Sequence, residues 1–240
     1  EVVDKVEFSM EHDGYVLEQD GASQTLSKND YEIITFPQDS VVKFTYHNYR
    51  IVVATLKDGK LTILELDNLG QVLVEKTYNT KFTNIDILSF KGSIYLVGGV
   101  SKIAEENIEA KAYHDMEDAI IIKLDHKYEV NNGATYGGKL KDCFNRVKCD
   151  YKHLYISGVK ETLSGGDFGN GGGEDNGYIF VKADEEGKII KQLIFKDEIL
   201  DYHILDDVIY ILIKNNIYLL DKDLNYKNSL EIASPILFHK

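Results

Sequence analysis

One phrase recurs four times along the 240-residue chain, and it constrains the fold more than any single residue does. An apolar strand is followed by a loop, a second apolar strand ending in an acidic residue, a turn, and a third strand. The copies read RIVVATLKDGKLTILELDNLGQVLVEKTY, SIYLVGGV…DAIIIKLDHKYEVNNGATYGG, HLYISGV…NGYIFVKADEEGKIIKQLIF and VIYILIKNNIYLLDKDLNYKNSLEI. A further strand-like run precedes each copy, at 41–46, 84–90, 143–149 and 199–205. Four such strands with tight connections form an antiparallel meander. The middle strands are apolar on both faces, so each sheet must be covered on both sides, as when sheets stack on neighbouring sheets.

The second strands begin near Ile51, Ile94, Leu154 and Ile209, at separations of 43, 60 and 55 residues. A minimal propeller blade takes about 40–45 residues. The expected fold is therefore all-β, a β-propeller of four-stranded antiparallel blades forming one domain over residues 1–240. The excess length has one source. The connection between second and third strands is 4 residues in the first copy (57–60) and 3 in the last (214–216), but 18 in each middle copy (101–118 and 160–177). Residues 2–36 are expected to supply the outer three strands of a fifth blade. Pro235-Ile236-Leu237-Phe238 would add its innermost strand, so that both termini close the ring. Tyr31 to Phe36 find no place in that scheme.

The hydrophobic fraction, 43%, allows a large core, and 19 glycines against 2 prolines suit many strands joined by turns. A net charge of −13 argues against nucleic acid and anionic membrane surfaces as partners. It favours solubility through self-repulsion, or affinity for cations. No apolar stretch approaches the roughly 20 residues that span a bilayer. The chain opens on Glu1 rather than Met, as expected where a leader or preceding segment has been removed. Cys143 and Cys149, six positions apart on one expected strand, would stand about 20 Å apart, too far for a disulfide, and are expected as free thiols.

The run DAIIIKLDHKYEVNNGATYGGK (118–139) resembles the repeat of bacterial SBBP-type β-propellers, in which an Asp–small–apolar–apolar–x–Lys–Leu–Asp stretch leads to a Tyr/Gly-Gly segment. GSIYLVGG (92–99) is similar to the second strand of that repeat, and NGYIFVKADEEGKI (176–189) matches more loosely. The resemblance covers about half of the chain. It implies a secreted or cell-surface bacterial repeat protein and carries no catalytic residues; a cytoplasmic chain is the other placement.

In a propeller the second-to-third-strand loops share a face with the interblade loops, so the two insertions, from consecutive blades, should rise side by side on one rim. Long loops of this kind are commonly functional. The first, SKIAEENIEAKAYHDMED, is rich in Ala, Glu and Lys and is expected to form a short helix over 104–113. The second, KETLSGGDFGNGGGEDNG, holds seven glycines. Tyr113, His114, Asp115, Glu117, Asp167, Phe168, Asn170, Glu174 and Asp175 are the candidate binding residues, for a protein or a glycan. Asp167, Asn170, Glu174 and Asp175 carry oxygen ligands of the kind Ca²⁺ takes, though in no EF-hand spacing. The acids that close the third strands (Asp67, Asp125, Asp184 and Asp221) are expected to cap turns. Two other functions compete with a binding module. A glycosidase would place carboxylates such as Asp86, Asp142 and Asp201 in the central funnel, and a structural spacer would bind nothing.

Overall fold

The computed structural model describes residues 8–12, 14–20, 23–109, 117–138, 140–161, 167–168 and 177–232. These form five consecutive blades of four antiparallel strands, the third extended by one short parallel strand. Blade I contains β1 (Phe8–His12), β2 (Tyr15–Asp20), β3 (Ser23–Lys28) and β4 (Tyr31–Pro37). Blade II contains β5 (Val41–His47), β6 (Arg50–Lys57), β7 (Lys60–Leu66) and the first half of β8 (Val72–Phe90). The second half of β8 is the first strand of blade III, so one 19-residue strand joins the two blades without a loop. Blade III continues with β9 (Ser93–Lys102), β10 (Ile108–Glu109), β11 (Asp118–Leu124) and β12 (Val130–Tyr136), β10 lying parallel on the outer edge of β12. Blade IV is β13 (Asp142–Cys149), β14 (Leu154–Lys160), β15 (Gly177–Ala183) and β16 (Ile189–Phe195). Blade V is β17 (Ile199–Leu205), β18 (Val208–Ile213), β19 (Asn216–Asp221) and β20 (Tyr226–Glu231).

The two-faced apolar strands do what their pattern requires. Along β6, Ile51 and Val53 face a core shared with Tyr15, Leu17 and Leu26 of blade I. The alternating Val52 and Ala54 face a core shared with Ile85, Leu96 and Ile120 of blade III. Blades III and IV meet through Val97, Ile121, Phe144 and Ile156, and blades IV and V through Tyr155, Phe180, Tyr202 and Ile211. Two glycines let the second strand press on its neighbour. A Cβ at Gly98 would stand 2.0 Å from the Asn84 carbonyl oxygen, and one at Gly158 would stand 2.2 Å from that of Cys143. Both sit opposite irregularities in the first strand of their blade.

The four third-strand acids build the same turn four times. Oδ1 of Asp67 accepts the N–H groups of Leu69 and Gln71 at 2.8 and 2.9 Å. Asp125 does so with Lys127 and Glu129, Asp184 with Glu186 and Lys188, and Asp221 with Asp223 and Asn225, all between 2.8 and 3.0 Å. The N–H donors hold the Asp125 and Asp221 carboxyls below the usual range. Tyrosines then tie these turns to the preceding blade. Tyr95 donates to the Glu185 carbonyl at 2.6 Å, Tyr155 to that of Lys222 at 3.3 Å, and Tyr15 to Oδ1 of Asn68 at 3.3 Å.

The ends and the first insertion depart from expectation. Blade I lacks no strand: Phe8–His12 pairs with β2 as its first, and Tyr31–Pro37 is its fourth. The expected closing strand at 235–238 lies outside the described residues. The expected helix over 104–113 does not form in its described part. Ile108 is buried in the core between blades II and III, and Glu105 accepts the backbone N–H groups of Asn79 and Thr80 where β8 crosses between blades. These tertiary contacts outweigh the helical preference of the segment.

Candidate functional site

The two insertions start from one rim, and their bases meet on the five-residue connection between β12 and β13. At the end of the first insertion, the Glu117 carbonyl accepts the N–H of Asp142 at 2.8 Å. Its carboxylate accepts a bond from the Thr83 hydroxyl and pairs with Lys141 at 3.1 Å, which raises the lysine pKa. In the second insertion Asp167 clasps Gly137 in both directions. Its N–H donates to the Gly137 carbonyl at 3.1 Å, and its Oδ2 accepts the Gly137 N–H at 3.2 Å. At the root of the same loop, the Glu161 N–H donates to the Lys141 carbonyl at 2.9 Å. One short segment, 137–142, thus carries both loops.

Phe168 requires a correction. The sequence suggests a ligand-contacting aromatic, but the side chain is 2% exposed and lies in the core between blades III and IV. It packs edge-on to Phe144 at 5.9 Å and beside Tyr136 at 6.4 Å. A lone aromatic in a glycine-rich loop gains more from burial than from exposure, so it anchors the loop. Glu117 is likewise committed to the base of the rim, while Asp167 remains exposed. Tyr113, His114, Asp115, Asn170, Glu174 and Asp175 lie outside the described residues.

Two further acids complete the base: Asp118, the last residue of the first insertion in the sequence, and Asp142, expected in the funnel. Asp118 opens β11 and Asp142 opens β13, and both are buried. Oδ2 of Asp142 accepts the Gly138 N–H at 2.8 Å. Burial, together with the charges of Asp142 and Asp167, pushes the Asp118 carboxyl up to about 7. Asp118 opens its strand where the first insertion ends, and Asp142 opens its own after the five-residue connection 137–141. Cys143, beside Glu117, is a free buried thiol pushed up to about 12 by burial and that carboxylate, and Cys149 is free as well.

The funnel acids are occupied. Asp86 accepts the Val147 N–H at 2.8 Å, linking the first strands of blades III and IV. Asp201 pairs with Arg146, and with Lys148 at 3.4 Å, linking those of blades IV and V. Asp142 sits at the rim instead. At the perimeter, β10 and β12 border a groove of about 660 Å³ with Glu109, Asn132, Glu186 and Lys188 on its walls. Among the described residues, no three His, Cys, Asp or Glu side chains form a ready-made metal cluster, and no helix is long and apolar enough to cross a membrane.

No protein-family model matches the chain, and no curated protein matches it either. Solved structures do. A protein of unknown function from Bacteroides caccae is 13% identical, with a TM-score of 0.51 over 93% of this chain and 81% of that one. The Neurospora crassa Pan2 WD40 domain is 11% identical, with a TM-score of 0.56 over 96% and 65%. The Dos1 propeller is 11% identical, with a TM-score of 0.55 over 92% and 56%. The chain thus spans between about half and four fifths of these neighbours. At such identities the likeness concerns architecture alone, and with the stacked blades it makes the fold a β-propeller.

Proposed function

We propose that this chain is a non-enzymatic binding module that recognises a protein or a glycan through the rim bearing residues 101–118 and 160–177. The observation that carries this reading is the convergence of both long insertions on residues 137–142. The opposite ends of the blades hold the acid-capped turns and their tyrosine ties, which leaves little there to vary. The propeller scaffold suits such work, because a rigid ring can present variable loops at small cost to its stability. The resemblance to SBBP-type repeats supports an extracellular or cell-surface bacterial setting. The commitment of Asp86 and Asp201 to interblade contacts favours binding over glycosidase chemistry, which needs a pair of carboxylates free to act on a sugar.

The test is a glycan and peptide array probed with the intact protein and with variants trimmed at 110–116 or 169–176. These cuts spare Glu105, Ile108 and Phe168, which the fold uses. Signal lost on trimming with the unfolding midpoint preserved supports the rim as the binding face. Signal retained after both cuts would refute it, and signal lost in Asp86→Asn or Asp201→Asn variants that remain folded would favour the funnel.

A further inference from the structure

Asp118 has an oxygen that none of the described residues satisfies. The residue is 2% exposed, yet its Oδ1 has no hydrogen-bond partner among the described residues. Buried carboxylate oxygens are ordinarily paired, because water has been removed and nothing else compensates the charge. Around this oxygen the chain gathers more acid. Oδ1 of Asp118 and Oδ2 of Asp142 both border the space left by the missing side chain of Gly137. A Cβ there would stand 2.3 Å from the first and 3.0 Å from the second. Asp167 reaches the same glycine from the second insertion. The nearby cations do not balance this. Lys141 is engaged by Glu117. Lys160, buried, stands opposite Asp142 in the β13–β14 ladder and shares its face. Among the described residues, one ammonium beside three carboxylates leaves an excess of negative charge.

We propose that the cradle at Gly137 is a site for a hard divalent cation of the Ca²⁺ class, with Asp118 and Asp142 as fixed ligands and Asp167 as the ligand carried by the second insertion. An all-oxygen set selects against the soft metals. Ca²⁺ tolerates irregular shells, taking six to eight oxygens from carboxylates, backbone carbonyls and water, whereas Mg²⁺ demands a near-octahedral one. Because the three acids do not already close on one point, the ion would draw Asp167 inward from the Gly137 N–H. The second insertion would then be tied to the junction of blades III and IV by a charge as well as by Phe168. This is independent of what the rim recognises, since it is measured with no ligand present.

The full chain, stripped with chelator, is titrated with Ca²⁺ and separately with Mg²⁺, followed by calorimetry and thermal unfolding. One Ca²⁺ per chain is expected, with Tm rising by about 5–10 °C at a hundredfold excess over Kd. Asp118→Asn keeps the shape and removes the charge. It should weaken Ca²⁺ binding at least tenfold and raise the metal-free Tm. Asp167→Asn, at an exposed position, should weaken binding while leaving the metal-free Tm near that of the parent. Absence of both heat and Tm shift up to about 10 mM Ca²⁺, on the weak side of the known range of sites, overturns the proposal. So does an equal Tm gain in the parent and both variants, which would assign the effect to the acidic surface at large.

Discussion

Truncating Phe168 should cost more stability than any other single substitution in the second insertion, although the sequence around it reads as a flexible loop. A buried phenylalanine removes about 150–250 Å² from water. At about 25 cal/mol per Å² that corresponds to roughly 4–6 kcal/mol, and measured Phe→Ala losses in cores run at about 3–5 kcal/mol. The glycines flanking Phe168 let the loop collapse partly into the space, so the lower end, about 3 kcal/mol, is expected for Phe168→Ala. For a domain of this size that lowers Tm by about 6–12 °C. Urea unfolding should show a lower midpoint with an unchanged slope, since the folded state still buries nearly all of its surface. Phe168→Leu, which keeps most of the volume, should lose under about 1.5 kcal/mol. Asp167→Ala, which gives up one bond to the Gly137 N–H, should lose about 1 kcal/mol. If Phe168→Ala unfolds within about 0.5 kcal/mol of the parent, the side chain is no anchor, and its burial between Phe144 and Tyr136 does not hold the loop.

Other substitutions separate backbone crowding, turn capping and thiol burial. Gly158→Ala puts a methyl group 2.2 Å from the Cys143 carbonyl oxygen and should cost about 2–3 kcal/mol in chemical denaturation. Gly92→Ala, at φ +74° with nothing within 4 Å, should cost only about 1 kcal/mol, from strain alone. Asp184→Ala removes the acceptor for two backbone N–H groups and should lose about 1–2 kcal/mol, while Tyr95→Phe, which unties the same turn from blade III, should lose about 1 kcal/mol. Cys143, with its pKa pushed up to about 12, stays a protonated thiol at pH 8. It should react with a disulfide reagent only after denaturation, which a colorimetric thiol count in native and unfolded protein will show.

The architecture is legible in the sequence where one physical cause dominates. Strands apolar on both faces can only be buried on both faces, and Asp67, Asp125, Asp184 and Asp221 announce their turns because a short acid accepts N–H groups two and four residues ahead. Legibility fails where a residue is committed by something distant in the chain. Tyr31–Pro37 is only sparsely buried, so its alternation is weak, and what makes it a strand is pairing with β3. Ile108 sits in a segment of helical composition, but its fate is decided by a core drawn from both sides of it in the chain, from Val52 to Val130. Phe168 is hidden by its glycines, since composition describes the loop as a whole and not the burial of a single side chain. At the rim, Glu117 and Asp167 were visible as acids on long loops. Asp118 ends the same acidic run as Glu117 and Asp142 reads as a funnel acid, and only the fold shows that the two meet beside Gly137.

This arrangement explains how the ring tolerates two long insertions at adjacent positions. An unanchored 18-residue loop would be free to move in water, and two of them side by side would carry the repulsion of their many acids. The chain limits both costs at the base rather than along the loops. Phe168 and Ile108 each bury one side chain in an interblade core, and Glu105 caps the exposed N–H groups where β8 changes blades. The connection 137–142 accepts the backbone N–H groups of Asp167 and Glu161 from one loop and donates the Asp142 N–H to the Glu117 carbonyl of the other, and the Asp167 and Glu117 carboxylates each add a contact to it. The remaining cost is the burial of the Asp118 carboxyl beside Asp142, which the proposed cation would offset.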